Sequence, residues 1–201
     1  MSDEEQAMGR ISAVESITLD GVMQAPGRAD EDTRGGFVHG GWAAPYADHV
    51  AMEFLGQGMG GAGDAMLFGR RTYEDVLHRW TTTTEPNPFT DVLVKTPKLV
   101  VSRSSGTVLE YPNSRLLAGE ALHTVAQAAA DVGGTLVVLG SGELVRALHA
   151  AGLVDEYVLQ IHPIVLGSGT RLFADGERAN LTLVRSVTST TGVLLAKYAA
   201  R

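Results

Sequence analysis

Leu136 to Leu139 are four consecutive apolar residues between Thr135 and Gly140, the pattern of a strand covered on both faces of a mainly parallel sheet. After Gly140-Ser141-Gly142 the period changes. Leu144, Val145, Leu148 and Ala151 fall on one helical stripe, which predicts a helix from Gly142 to Ala151 with Ser141 as N-cap and Gly152 as its stop. The same order of strand, glycine and helix recurs at Ala65 to Phe68, Gly69-Arg70-Arg71-Thr72 and a helical stripe through Tyr73, Val76, Leu77 and Trp80. A third apolar run, Lys98 to Val101, ends in Ser102-Arg103-Ser104-Ser105.

The remaining chain supports this frame. Ser12 to Leu19 alternates as a first strand and stops at Asp20-Gly21. Val22 to Gly41 is a long loop with Pro26 and several glycines, of a length that usually covers a site. Tyr46 to Leu55 reads as a helix with Pro45 at its entry. Gly58 to Gly63 has the letters GxGxxG but leaves a helix and enters a strand, the reverse of a dinucleotide fingerprint, so it is a link. Thr81 to Thr90 is a polar loop, Asp91 to Lys95 a short turn, Leu116-Leu117 a short strand, and Leu122, Val125, Ala129 and Val132 mark a helix. Val154 to Leu166 is a long strand in which Pro163 predicts a bulge or an edge position. Leu181 to Thr188 and Val193 to Tyr198 form a C-terminal antiparallel hairpin around Gly192.

Composition narrows the class. A chain of 201 residues with 44% hydrophobic content holds one core, read as a polar leader over residues 1–10 and one domain over residues 11–201. The formal charge of -7 disfavours nucleic acid as a partner. The absence of cysteine excludes disulfides, thiolate catalysis and cysteine-based zinc sites, and no stretch is long and apolar enough to span a membrane; a cytoplasmic protein is expected.

The candidate chemistry gathers at the three strand ends. In a parallel sheet the carboxyl ends of strands form the ligand crevice. Arg70, Arg71 and Arg103 offer forked donors, and Thr72, Ser102, Ser104 and Ser141 offer hydroxyls beside helix starts and turns, a set suited to the phosphates of a nucleotide. The serines lack the flanking glycines of a nucleophile elbow. The six histidines form no metal-binding pair, and His162 reads as a hydrogen-bonded strand histidine.

Met66 to Glu74 (MLFGRRTYE), Val100 to Ser104 (VVSRS), Val137 to Leu148 (VVLGSGELVRAL) and Ala151 to Phe173 (AGLVDEYVLQIHPIVLGSGTRLF) together resemble the dihydrofolate reductase superfamily. The nearest branch contains the reductase domain of the riboflavin-biosynthesis protein RibD. The resemblance implies an α/β fold with a mixed, mostly parallel sheet flanked by helices, closed by the C-terminal antiparallel hairpin. It also implies an NADPH-dependent reductase that delivers hydride to a small heterocyclic or carbonyl-type acceptor; the alternative is a nucleotide-binding or sensory protein that retains the reductase fold without turnover, which the absence of the acid at position 47 favours. By position it assigns Gly69, Arg70, Arg71 and Thr72 to the adenosine side and pyrophosphate, and Ser102, Arg103 and Ser104 to the ribose phosphate. Leu139, Gly140, Ser141, Gly142, Glu143 and Leu144 fall to the pyrophosphate, with Ser16, Gly21, Val22 and Met23 beside the nicotinamide. Trp42 and Pro45 match the superfamily's substrate motif, Ala47 stands at its acid position, and Asp48 follows as candidate acid and substrate anchor. That offset on a helix, about 100° per residue, turns the carboxylate away, so folate is not the expected substrate. The long insert at residues 24–42 departs from the RibD branch. A homodimer is expected by the same resemblance, with the segment Tyr157 to Leu166 as the surface to be covered.

Overall fold

The computed structural model describes residues 9–57, 61, 63–84 and 88–201. Most of the expected leader, most of the GxGxxG link and the middle of the 81–90 loop therefore lie outside the described residues. Eight strands form a single sheet in the order β4-β3-β2-β5-β1-β6-β8-β7. They are β1 (Arg10–Thr18), β2 (Ala65–Gly69), β3 (Lys98–Ser102), β4 (Ser114–Ala118), β5 (Thr135–Leu139), β6 (Glu156–His162), β7 (Leu181–Thr188) and β8 (Leu194–Ala200). The first six run parallel, and β8 pairs antiparallel with both β6 and β7. The chain steps outward from β2 to β4 and then returns to insert β5 between β2 and β1, so the carboxyl ends of β3, β2 and β5 lie side by side, the last two running into helices.

Both faces are covered by the helices α1 (His49–Gly56), α2 (Arg70–Thr82), α3 (Pro88–Lys95), α4 (Ala121–Asp131) and α5 (Gly142–Ala150). Ile11, Ala13 and Ile17 of β1 pack with Leu136 and Val138 of β5 against Val125 and Ala128 of α4 and Val145 and Leu148 of α5. On the opposite face Met66, Phe68 and Val100 meet Tyr73 and Leu77 of α2 and Leu93 of α3. Ala51 and Phe54 of α1 cover Leu195 of β8. This accounts for the unbroken apolar runs, since strands buried on both faces have no polar side to present.

Four local expectations are corrected. The first helix starts at His49, because Pro45 lies in a 3-10 turn over Ala44–Tyr46 and Asp48 is extended and caps the helix. The expected turn at Asp91 to Lys95 is part of α3, whose acidic first turn and basic last turn suit the helix dipole. The strand from Val154 stops at His162, so Pro163 neither bulges the sheet nor marks an edge. Finally, β6 is bonded on both sides, and the segment Tyr157 to Leu166 therefore has no free edge to offer a second copy.

Lys98 shows what pattern reading misses. The side chain at the head of β3 is fully buried, and its Nζ donates to the carbonyls of Leu93 at 2.6 Å and Thr96 at 2.8 Å, which close the end of α3. Burial lowers its pKa, while the carbonyl acceptors hold the ammonium. Lys98→Met is expected to leave those carbonyls dry and unpaired and to cost about 2 kcal/mol. The urea midpoint, at unchanged slope, measures it.

Candidate active site

Two hollows mark the ends of the sheet. The one at the amino ends, about 710 Å³, includes Asp64 and Lys98, both already bonded to backbone: Asp64 accepts from Thr135 N at 2.7 Å and Gly61 N at 2.8 Å. The other lies over the carboxyl ends and holds about 1730 Å³, more than the roughly 300–1,000 Å³ of a pocket for one small molecule. It has room for two.

Three adjacent corners build one side of this cavity. Gly69, Arg70, Arg71 and Thr72 come from β2 and α2, Ser102, Arg103 and Ser104 from the end of β3, and Leu139 to Leu144 from β5 and α5; all line it. Gly140 and Ser141 both take left-handed backbone, with φ of 56° and 61°. The expected Ser141 cap is absent. Its Oγ instead accepts from Gly69 N at 2.9 Å, tying the β5 corner to the β2 corner, and neither α2 nor α5 has a side-chain cap on its first amides. Two helix starts thus present donors to the cavity. Arg70 is engaged by Glu74 at 2.9 Å, whereas Arg71 and Arg103 make no ion pair among the described residues.

The loop from Val22 to Gly41 covers the opposite side. Gln24 is its hub: Oε1 accepts from Thr170 N at 3.0 Å, Nε2 donates to the carbonyls of Asp32 and Arg34, and its own carbonyl accepts from Trp42 Nε1 at 2.8 Å. Arg28 joins the loop to α2 through Asp75 (3.0 Å to Oδ2), and Arg34 joins it to Glu143 at the start of α5. Met23, Glu31, Asp32 and Arg34 line the cavity, with the Met23 thioether laid against Gly142 where a Cβ would collide.

Several expected site residues stand elsewhere. Trp42 is buried in the loop's own core with Val22 and Phe37, outside the cavity lining. Gly21 and Val22 also lie outside it: Gly21 takes φ 79° in the turn after β1, and Val22 is fully buried. Asp48 is consumed structurally. Its Oδ1 caps α1 through Ala51 N at 2.9 Å, and its Oδ2 accepts from Thr190 N at 2.7 Å and Oγ1 at 2.8 Å. Those bonds, the Ala51 amide first, hold its carboxyl down at about 2. It does not line the cavity, so it is corrected from acid to cap. Ser16 does line it and accepts from Gln160 Nε2 at 3.1 Å.

The acid in the cavity is Glu15, which sequence reading passed over. It is 5% exposed, no hydrogen bond reaches its carboxyl among the described residues, and its Oε1 is fully enclosed. Burial, helped by the charge of Glu31, pushes its pKa up to about 8, so it holds a proton at neutral pH. Glu31 is raised as well, chiefly by burial. The available signal was a lone charge among the apolar residues of the first strand. His162 is buried as expected but not hydrogen-bonded: both ring nitrogens lack partners, and it sits edge-on to Trp42 and Tyr46.

Residues 11–195 match the RibD C-terminal domain family. An uncharacterised Bacillus subtilis (strain 168) protein, YyaP, is 30% identical over 190 residues, covering 91% of this chain and 90% of that one. Among solved structures, a putative riboflavin biosynthesis protein from Shewanella sp. PV-4 superposes with a TM-score of 0.62 at 18% identity, covering 96% of this chain and 99% of that one. Dihydrofolate reductase from Enterococcus faecalis, complexed with NADP(H) and RAB-propyl, gives 0.62 at 14% identity over 96% and 98% of the two chains. A pyrimidine reductase-like protein from Corynebacterium diphtheriae gives 0.62 at 13% identity over 96% and 92%.

Proposed function

The chain belongs to the RibD C-terminal domain family and shares the dihydrofolate reductase-like fold, and from that premise we propose that it is an NADPH-dependent reductase of a small acceptor. One observation carries this reading: three parallel strand ends bring Gly69–Thr72, Ser102–Ser104 and Gly140–Gly142 to one side of a cavity with Arg71 and Arg103 unpaired among the described residues. The residues fit the cofactor. Uncapped helix starts and left-handed backbone at Gly140 and Ser141 suit a pyrophosphate, and Arg71 and Arg103 suit the ribose phosphate. Ser16 and Met23 stand at the β1 end, where the nicotinamide belongs in this reading. Bound NADPH would supply hydride; the chain's own part is to position it, to exclude water beneath the 22–41 loop, and to hold a proton at Glu15. That proton removes the main motive for the non-catalytic alternative, which was the missing acid.

Cofactor preference tests the reading. An arginine on the 2′-phosphate contributes roughly 1.5 to 3 kcal/mol, about tenfold or more in affinity. We expect NADPH to bind more tightly than NADH by that margin, and Arg103→Ala or Arg71→Ala to lose it for NADPH while leaving NADH unchanged. Arg70→Ala should matter less, because Glu74 already engages that guanidinium. Fluorescence titration of both cofactors against the variants measures this, and equal losses for both would overturn the assignment. A homodimer stays part of the proposal on a different surface from the one first expected, the outer strand β7 with Leu183 and Val184 exposed. Light scattering behind a sizing column reads twice the 21.2 kDa subunit mass if it holds.

A further inference from the structure

The cavity is electrostatically divided. Its unpaired arginines, Arg71 and Arg103, come from the β2 and β3 corners, whereas the covering loop and α1 contribute Asp30, Glu31, Asp32 and Glu53 to the lining, Glu31 close enough for its charge to act on Glu15. Asp30 and Asp32 are paired with Arg28 and Arg34, and Glu31 Oε2 accepts from Gly27 N at 2.6 Å and Arg28 N at 3.1 Å, but no ion pair reaches Glu15, Glu31 or Glu53 among the described residues. The other acids facing this space, Asp75 of α2 and Glu143 of α5, are engaged by Arg28 and Arg34. A phosphate or carboxylate placed against Glu15 would meet the Glu31 carboxyl, to which no cation is paired among the described residues. A buried carboxyl with no protein partner, opening on a cavity, instead needs a ligand atom to complete its hydrogen bonds.

We propose that the half of the cavity floored by Glu15 and faced by Glu31 and Glu53 takes an uncharged or cationic acceptor with a basic imine-type nitrogen bonded to the Glu15 carboxyl, and rejects acceptors bearing phosphate or carboxylate. The proposal deepens the reductase reading and rests on it for the word acceptor. On binding, the Glu15 O–H bond breaks and an N–H bond forms on the ligand, leaving a carboxylate against a ring cation. Glu31 stabilises that cation; if the ligand leaves unreduced its N–H bond breaks and the proton goes back to Glu15, and if it is reduced the amine keeps that proton and Glu15 takes another from bulk solvent. A carbonyl acceptor gains less here, because the oxyanion that develops on reduction faces the same carboxylates.

Calorimetry of the whole protein with the cyclic imine dihydroisoquinoline and with its carboxylated analogue provides the test, with no cofactor present. The imine should bind at least about tenfold more tightly, and Glu15→Gln or Glu31→Gln should each reduce that preference. Infrared difference spectra should show a carboxylic-acid band in the parent that is missing in Glu15→Gln and that vanishes when the imine saturates the site. Equal binding of the two probes, or a band that survives saturation, would overturn the proposal. If Glu15→Gln does not fold, the parent still decides, since its carboxylic-acid band must vanish when the imine saturates the site and persist with the carboxylated analogue. Loss of NADPH binding with the imine preference intact would count against the reductase reading alone, and NADPH binding without the preference against this proposal alone.

Discussion

Glu15→Gln is expected to make the fold more stable above pH 8 by about 5 kcal/mol while abolishing proton delivery in the cavity. A carboxyl raised from its ordinary 4.5 to about 8 binds its proton more tightly in the folded than in the unfolded chain. Folding is therefore unpenalised below pH 4.5, loses about 1.4 kcal/mol per pH unit as pH rises toward 8, and is flat beyond. Glutamine matches the protonated acid in shape and carries no charge, so parent and variant should agree at low pH and separate as pH rises. Urea denaturation at several pH values tests this, and parallel profiles would refute it. A group that costs stability where the protein works is the kind kept for chemistry.

His162→Leu should have the opposite pH signature. Burial pushes the His162 imidazole from 6.5 down to about 4, and its ring nitrogens have no partner to hold a proton. The unfolded chain then binds that proton first, so stability is complete above pH 6.5 and falls as pH drops toward 4, by about 3 kcal/mol in all. Leucine, close in volume, should remove that loss and leave the neutral-pH stability within about 1.5 kcal/mol of the parent. Denaturation at pH 4 and pH 7 distinguishes the two chains. Between pH 4.5 and 6.5 the Glu15 and His162 contributions have opposite slopes, so together they leave the parent nearly level there, declining on either side. Each single variant exposes the other residue's slope.

What was legible in the sequence was periodic or punctuated. The apolar runs of β2, β3 and β5 have no polar face because helices cover both sides of the sheet, and the glycines after β2 and β5 are where the chain turns from strand to helix. That periodicity predicted the strands, most of the helices and the corner residues that line the cavity, including Arg71, Arg103 and the Gly140–Gly142 turn. Asp48 was misassigned because a helix-capping aspartate and a substrate-binding aspartate look alike in a string; its two oxygens are taken by Ala51 and by Thr190, a residue 142 positions away. Trp42 failed likewise, since its indole closes the covering loop on Gln24.

The local alternation of strand and helix follows from side-chain period, and the chemistry available at each turn from the residues that stand there. Which of those groups can act follows from how the elements pack. Whether a carboxylate is a cap, half of an ion pair or a protonated acid depends on partners far along the chain and on the water left around it. Glu15 became the acid of the cavity because the packing of β1 beneath the loop removed its solvent and supplied no donor.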